Sequence, residues 1–119
     1  MYGSAVLDEP TPYERDVLPF IRPFTDALVA SLPDRPVPRH LDHGAGTGEV
    51  VSAVRARTAV ALDSNPGMCS RARTRFVEHR DVHVFEGTLD RYVAEPHDQF
   101  DLITSQLVLS FVPDPFREL

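Results

Sequence analysis

Between residues 13 and 32 the apolar positions Val17, Phe20, Ile21, Phe24, Leu28 and Leu32 recur at helical spacing. Pro19 and Pro23 fall inside that pattern. Lacking backbone donors, they should break or kink a single long helix, so the pattern predicts two short helices, or one that starts near Arg22. Residues 33–38 (PDRPVP) read as a proline-rich linker. After it the pattern changes to short apolar runs alternating with amphipathic stretches. These runs predict strands at 37–42, 58–62, 82–85 and 100–104. Between and after them the pattern predicts helices at 47–56, 66–78 and 107–112, with a helix or turn at 89–95. In the helix predicted from residue 66, Met68, Cys69, Ala72 and Phe76 share one side, and Asn65 and Pro66 suit its N-cap and first position. Strands that alternate with helices argue for a parallel sheet covered on both faces. The chain thus divides into an N-terminal helical cap with its linker (1–36) and an α/β domain (37–119).

The most informative ten residues are Leu41–Val50, LDHGAGTGEV. The short apolar stretch Val37–Leu41 runs into Asp42, then into glycines at 44, 46 and 48, then into a helical pattern. Glycines without Cβ let backbone approach a ligand closely, and the helix that follows presents unpaired N–H groups. This reads as the floor of a nucleotide-type pocket. The dinucleotide fingerprint needs its third glycine three residues after the second, and here it comes after two. A phosphate-binding P-loop is excluded, because no lysine follows the glycines and the chain contains none: all 12 basic residues are arginine.

The pattern Asp42-x-Gly44-x-Gly46-x-Gly48, with Thr47 before the last glycine, resembles motif I of the class I S-adenosylmethionine-dependent methyltransferases. Three further blocks follow in the same order. TAVAL (58–62) ends in Asp63 and runs on into SNPGM (64–68). Val82–Phe85 is followed by Glu86-Gly87-Thr88-Leu89-Asp90. FDLITSQLVLSFVPDP (100–115) is similar to the family's fourth-strand block, with Ser110 where many members carry His. The match covers residues 37–115.

The resemblance implies a Rossmann-like α/β sandwich that binds S-adenosylmethionine across the carboxyl ends of its strands. It implies a cofactor-binding set of Asp42, His43, Gly44, Ala45, Gly46, Gly48, Asp63, Ser64, Met68, Gly87, Thr88, Leu89, Ser105 and Gln106. In that set Asp42 orients the amino-acid end, Asp63 accepts from the ribose hydroxyls and Met68 lies against the adenine. The family usually places an acid directly after the glycine of the third block. Thr88 stands there in this chain, so either Thr88 or Asp90 meets the adenine amino group. The family sheet has seven strands in the order 3-2-1-4-5-7-6, of which only the first four are found. The fold is therefore expected to be truncated after the fourth strand: the chain is part of a longer protein, or another chain supplies the missing half, or it is a half-fold with altered function.

Each of these residues also has a plainer role. Asp42 can bond neighbouring backbone N–H groups in a turn. Asp63 can begin a helix, and Ser105 can cap one. The ring of His43, where the family has an aliphatic residue, either packs against the first helix of the domain or moves a proton near the cofactor. Cys69 reads as a small core residue. His40 and His43 have no further ligands at zinc spacing, so no metal site is expected. No catalytic residue can be named, because the family's bases and acceptor pockets lie mostly beyond the fourth strand.

Composition narrows the partners. The formal net charge of −6 lacks the basic stripe that nucleic acid requires. Arg71, Arg73 and Arg75 do not share one helix face and read as a solvated surface. No apolar run approaches the roughly 20 residues that span a bilayer. A single cysteine excludes an internal disulfide, and the N-terminus does not read as a signal peptide. The expectation is a cytoplasmic enzyme that methylates a small-molecule acceptor and contacts neither nucleic acid nor membrane. Its fourth strand, left as an apolar edge, should favour self-association. Two other readings are open: a non-catalytic S-adenosylmethionine-binding module, and a nicotinamide dinucleotide-binding Rossmann protein.

Overall fold

A computed structural model describes residues 12, 15–16, 18–32 and 34–105. The chain forms two compact units that meet in sequence at Pro33 and Asp34. In the first unit, helix α1 (Leu18–Ala30) runs unbroken through both prolines. This corrects the expected start near Arg22; residues 13, 14 and 17, where a second short helix would fall, lie outside the described residues. Pro19 lies in the first turn, where its missing N–H would have had no intrahelical acceptor. Pro23 sacrifices one bond within the helix, and the chain continues past it. Leu18 and Thr25 are buried, and Phe20 and Phe24 are exposed with ring centroids 6.3 Å apart.

The second unit contains β1 (Arg39–His43), α2 (Glu49–Val54), β2 (Thr58–Asp63), α3 (Pro66–Arg75), β3 (Val82–Glu86), α4 (Leu89–Ala94) and β4 (Leu102–Ser105). The strands form one parallel sheet in the order β3-β2-β1-β4. From β1 the chain steps outward twice to reach β3. It then crosses back over two strands, so that β4 lies on the far side of β1.

The sheet is covered unequally on its two faces. On one, Ala59 and Ala61 of β2 pack with Val51 of α2 and with Ala72 and Phe76 at the end of α3. Alanines there let two helices lie close to the sheet. On the other face, Leu41, Val60 and Leu62 pack with Leu89 and Tyr92 of α4, with Phe85 and with Phe100. Fully burying a leucine of this kind stabilises the fold by roughly 1.5–3 kcal/mol. β1 and β2 are buried on both faces, and β3 and β4 are partly exposed.

The element ends differ from the sequence expectation for identifiable reasons. α2 is shorter than expected because its flanking residues, Gly48 and Arg55, both adopt left-handed backbone. α3 stops at Arg75, and Phe76 leaves helical geometry and buries its ring. β4 begins at Leu102 because the two residues before it serve as a latch on β1. The Asp101 carboxylate accepts from the Arg39 N–H at 2.9 Å, and the Arg39 guanidinium lies 4.7 Å over the Phe100 ring while donating to the Gln99 carbonyl at 2.8 Å. The expected helix at 107–112 lies outside the described residues. No helix among the described residues is long and apolar enough to cross a membrane.

Candidate functional site

Because the strands are parallel, their carboxyl ends share one edge of the sheet. Register places His43 between Leu62 and Ser105, and Asp63 beside Glu86. The turn after β1 is tied to β2 through the Gly44 and Ala45 N–H groups, which both donate to the Leu62 carbonyl at 2.8 and 2.9 Å. Gly44, Gly46 and Gly48 all have positive φ. Gly48, at φ 96°, is the most constrained: a Cβ there would stand 2.5 Å from the Phe76 ring. The third glycine therefore serves the packing of α3 against the turn. That packing is reinforced when the Thr47 hydroxyl, itself buried, donates to the Glu49 carboxylate, which in turn pairs with Arg75 at 3.4 Å.

Asp63, half-buried at the end of β2, holds the centre of this edge. Its Oδ2 accepts from the Gly46 N–H and its Oδ1 from the Asn65 N–H, both at 2.8 Å. One carboxylate thus fixes the glycine turn and the start of α3 together. Each oxygen keeps a further lone pair for another donor. Asn65 caps α3 by accepting from the Met68 N–H at 3.1 Å, with Pro66 in the first turn, as their residue types suit.

Asp42, one residue before the carboxyl end of β1, is 2% exposed. Burial pushes its carboxyl up to about 7; the hydrogen bond from Thr104 opposes the rise, and the charges of Asp63 and Glu49 add to it. Thr104, its register partner on β4, donates to Oδ1 at 2.6 Å, and the same hydroxyl lies 2.8 Å from His40 Nε2. His40 is fully buried, and burial lowers its imidazole to about 4. Its Nδ1 has no hydrogen-bond partner among the described residues. His40, Thr104 and Asp42 thus form a buried polar chain across two strands. His40 and Thr104 stand outside the residue set the sequence suggests. Local pattern could show only that a histidine occupies a strand position two before the motif acid.

The remaining expected residues fall as follows. Gly44, Ala45, Gly46 and Gly48 form the turn, and Ser64 is exposed beside Asp63. His43 alternates with Asp42 and so lies on the face of Leu41 and Leu62, opposite α2. Met68 is half-buried in the first turn of α3. Gly87 donates its N–H to the Asp63 carbonyl at 2.9 Å. The Thr88 hydroxyl caps α4 by accepting from the Arg91 N–H at 3.3 Å, and Asp90 follows in that helix's first turn. Leu89 packs into the core cluster around Leu41. Ser105 is the last residue of β4 rather than a residue past the strand, and Gln106 lies outside the described residues. Cys69 is fully buried, its thiol pushed up to about 11 mainly by burial, and Sγ donates to the Asp63 carbonyl at 3.3 Å. It is a core residue. Among the described residues no group of three or more His, Cys, Asp or Glu side chains could hold a metal ion.

A parallel sheet with a glycine turn after its first strand, an acid closing its second and the first crossover reversal beside that turn defines a Rossmann-like nucleotide-binding protein. The family model described as "Methyltransferase domain" matches residues 41–119, and the chain belongs to that family. No curated protein matches the chain. Among solved structures it is similar to the N-methyltransferase NodS of Bradyrhizobium japonicum in complex with S-adenosylhomocysteine. Identity is 22% and the TM-score 0.73, over 93% of this chain and 57% of that one. It is also similar to the YcgJ protein of Bacillus subtilis, with 24% identity and TM-score 0.64 over 78% and 41%. A third likeness is to phosphoethanolamine N-methyltransferase 1 of Haemonchus contortus, in complex with phosphoethanolamine and S-adenosylhomocysteine. There the identity is 18% and the TM-score 0.64, over 83% and 22%. The chain therefore spans between about a fifth and three fifths of the length of these three relatives.

Proposed function

We propose that this chain binds S-adenosylmethionine along the carboxyl ends of β1–β4 and serves the transfer of its methyl group to a small-molecule acceptor. The observation that carries this reading is Asp63: a carboxylate fixed by two backbone N–H groups at the sheet edge, with lone pairs still open to ribose hydroxyls. The residues fit the cofactor on chemical grounds. Ribose hydroxyls and an ammonium are donors, and Asp63 and Asp42 are acceptors. A turn of glycines leaves room beside the strand ends. Either Thr88 or Asp90, in the turn after Gly87, would accept from the adenine amino group, and Met68 would offer apolar surface to the ring. Ser64, Ser105 and Gln106 complete the proposed set.

When bound, the cofactor supplies a methyl group on a sulfonium, which an acceptor lone pair can take. The protein's part is to hold that methyl in line with the acceptor, and orientation carries much of the rate. A small acceptor suits a chain of net charge −6, which would repel a polyanion. The small amine in the Haemonchus complex offers a precedent for an acceptor of that size.

Calorimetry with S-adenosylhomocysteine tests the reading. Binding is expected for the wild type, and Asp63→Ala should cost about 1.5–3 kcal/mol, since charge-assisted bonds are lost. Binding of NAD with none of S-adenosylhomocysteine would overturn it. A methyl-transfer assay over a panel of small amines, thiols and carboxylates separates an enzyme from a non-catalytic binding module.

A further inference from the structure

We propose that His40 and Thr104 are positioning residues for the cofactor site: a buried one-way hydrogen-bond chain, His40 to Thr104 to Asp42, fixes Asp42 Oδ1 and leaves Oδ2 to face the cofactor's ammonium. The inference rests on the cofactor reading above and adds two residues to it.

Direction follows from which buried atom is left without a partner. The hydroxyl of Thr104 has one proton and lies within hydrogen-bond distance of both neighbours, 2.6 Å from Asp42 Oδ1 and 2.8 Å from His40 Nε2. Two arrangements satisfy it. In one, His40 Nε2–H donates to Oγ1 and Oγ1–H donates to Oδ1, so Nδ1 is a bare acceptor. In the other, a protonated Asp42 donates to Oγ1, the hydroxyl donates to Nε2, and the proton of His40 sits on Nδ1. Nδ1 is the one buried side-chain polar atom without a partner among the described residues. A buried N–H with no acceptor is rarer and more costly than an under-used acceptor. The first arrangement therefore prevails.

That choice has a consequence for Asp42. Its Oδ1 is committed to a donor on β4, at the register position directly across the sheet. The carboxylate plane is thereby held by a buried hydroxyl. The charged neighbours of Asp42 are Asp63 at the end of β2 and Glu49 at the start of α2, both acidic. Arg75 pairs with Glu49, and no cation among the described residues pairs with Asp42, so Oδ2 is left to receive an arriving ammonium. Valine at 104 would keep the shape and remove the hydroxyl. Serine would keep the hydroxyl.

The experiment uses the full chain labelled with ¹⁵N-histidine. Two-bond ¹H–¹⁵N correlation spectra should show His40 as the Nε2–H tautomer, without titration between pH 5.5 and 8. Thr104→Val should lose that fixed tautomer and weaken S-adenosylhomocysteine about tenfold. Thr104→Ser should restore both to within about threefold. His40→Gln, whose amide can still donate to Thr104, should bind more tightly than His40→Leu. Thermal melts confirm that each variant compared is folded. An Nδ1–H tautomer in the wild type overturns the proposed direction. Wild-type binding that Thr104→Val leaves unchanged, in a folded protein, overturns the positioning role. Absence of binding by the wild type overturns the cofactor reading itself and the role with it.

Discussion

Asp42 sits where a folded protein least accommodates charge, and its cost depends on pH. Its folded pKa of about 7 lies above the ordinary carboxylate value, so the folded state holds its proton over a range where the unfolded chain has lost it. Stability from this group is fully present below about pH 4 and is lost as pH rises towards 7. His40 has the opposite sign. Its folded value of about 4 lies below the ordinary 6.5, so stability is lost as pH falls through that range. Over pH 4 to 6.5 the two contributions oppose one another. Asp42→Asn removes one of them and keeps an amide oxygen for Thr104. That variant should match the wild type near pH 4 and exceed it at pH 8 by on the order of 3 kcal/mol. Denaturant titrations at the two pH values check this. Equal stability at pH 8 would show that Asp42 titrates as an ordinary carboxylate. The expected cost of the gain is weaker S-adenosylhomocysteine binding, since the amide carries no charge for the ammonium.

At the scale of elements, the ends of α2 show a sequence at odds with its backbone. Gly48 meets its left-handed conformation at little cost, whereas Arg55 at φ 59° does not. A residue with Cβ pays roughly 1–2 kcal/mol there, part of which glycine would give back as unfolded-state entropy. Arg55→Gly should therefore stabilise the protein by about 0.5–1 kcal/mol, read as a rise in the midpoint of thermal unfolding. Strand, turn and helix were legible in sequence wherever the signal is local. β2 is a continuous apolar run because it is buried on both faces, and the cap of α3 is written in Asn65 and Pro66. The course of α1 was hidden because a proline's effect depends on which turn it occupies. The His40–Thr104 pair was hidden for a different reason. Its members stand 64 residues apart, and only the pairing of β1 with β4 brings them together.

In the whole molecule, β4 is the last strand of the sheet among the described residues, and Ile103, on the same sheet face as Leu41, is 64% exposed. An open strand edge carrying an exposed branched apolar side chain is a template for another chain. We propose that copies of this chain associate through it. Light scattering of the wild type should then give a mass above that of a monomer, and Ile103→Lys should lower it. A monodisperse wild-type monomer would refute the association.

The latch between Arg39 and Asp101 spans 62 residues, and it determines when the site exists. β1 and β2 are neighbours in sequence and pair through a short crossover. β4 can dock only after the chain between has been drawn in, and among the described residues β1 is the one strand that grips it. Loop closure over that distance is costly and is repaid by few bonds. Undocking of β4 should therefore be a separate, cheaper opening than loss of the sheet. Amide hydrogen exchange would report it as faster exchange at Leu102–Ser105 than at Val60–Leu62. Each such opening takes Thr104 away from Asp42 while the glycine turn stays in place. A ligand that needs the assembled pair would bind only the docked fraction, and would slow exchange in β4 more than anywhere else.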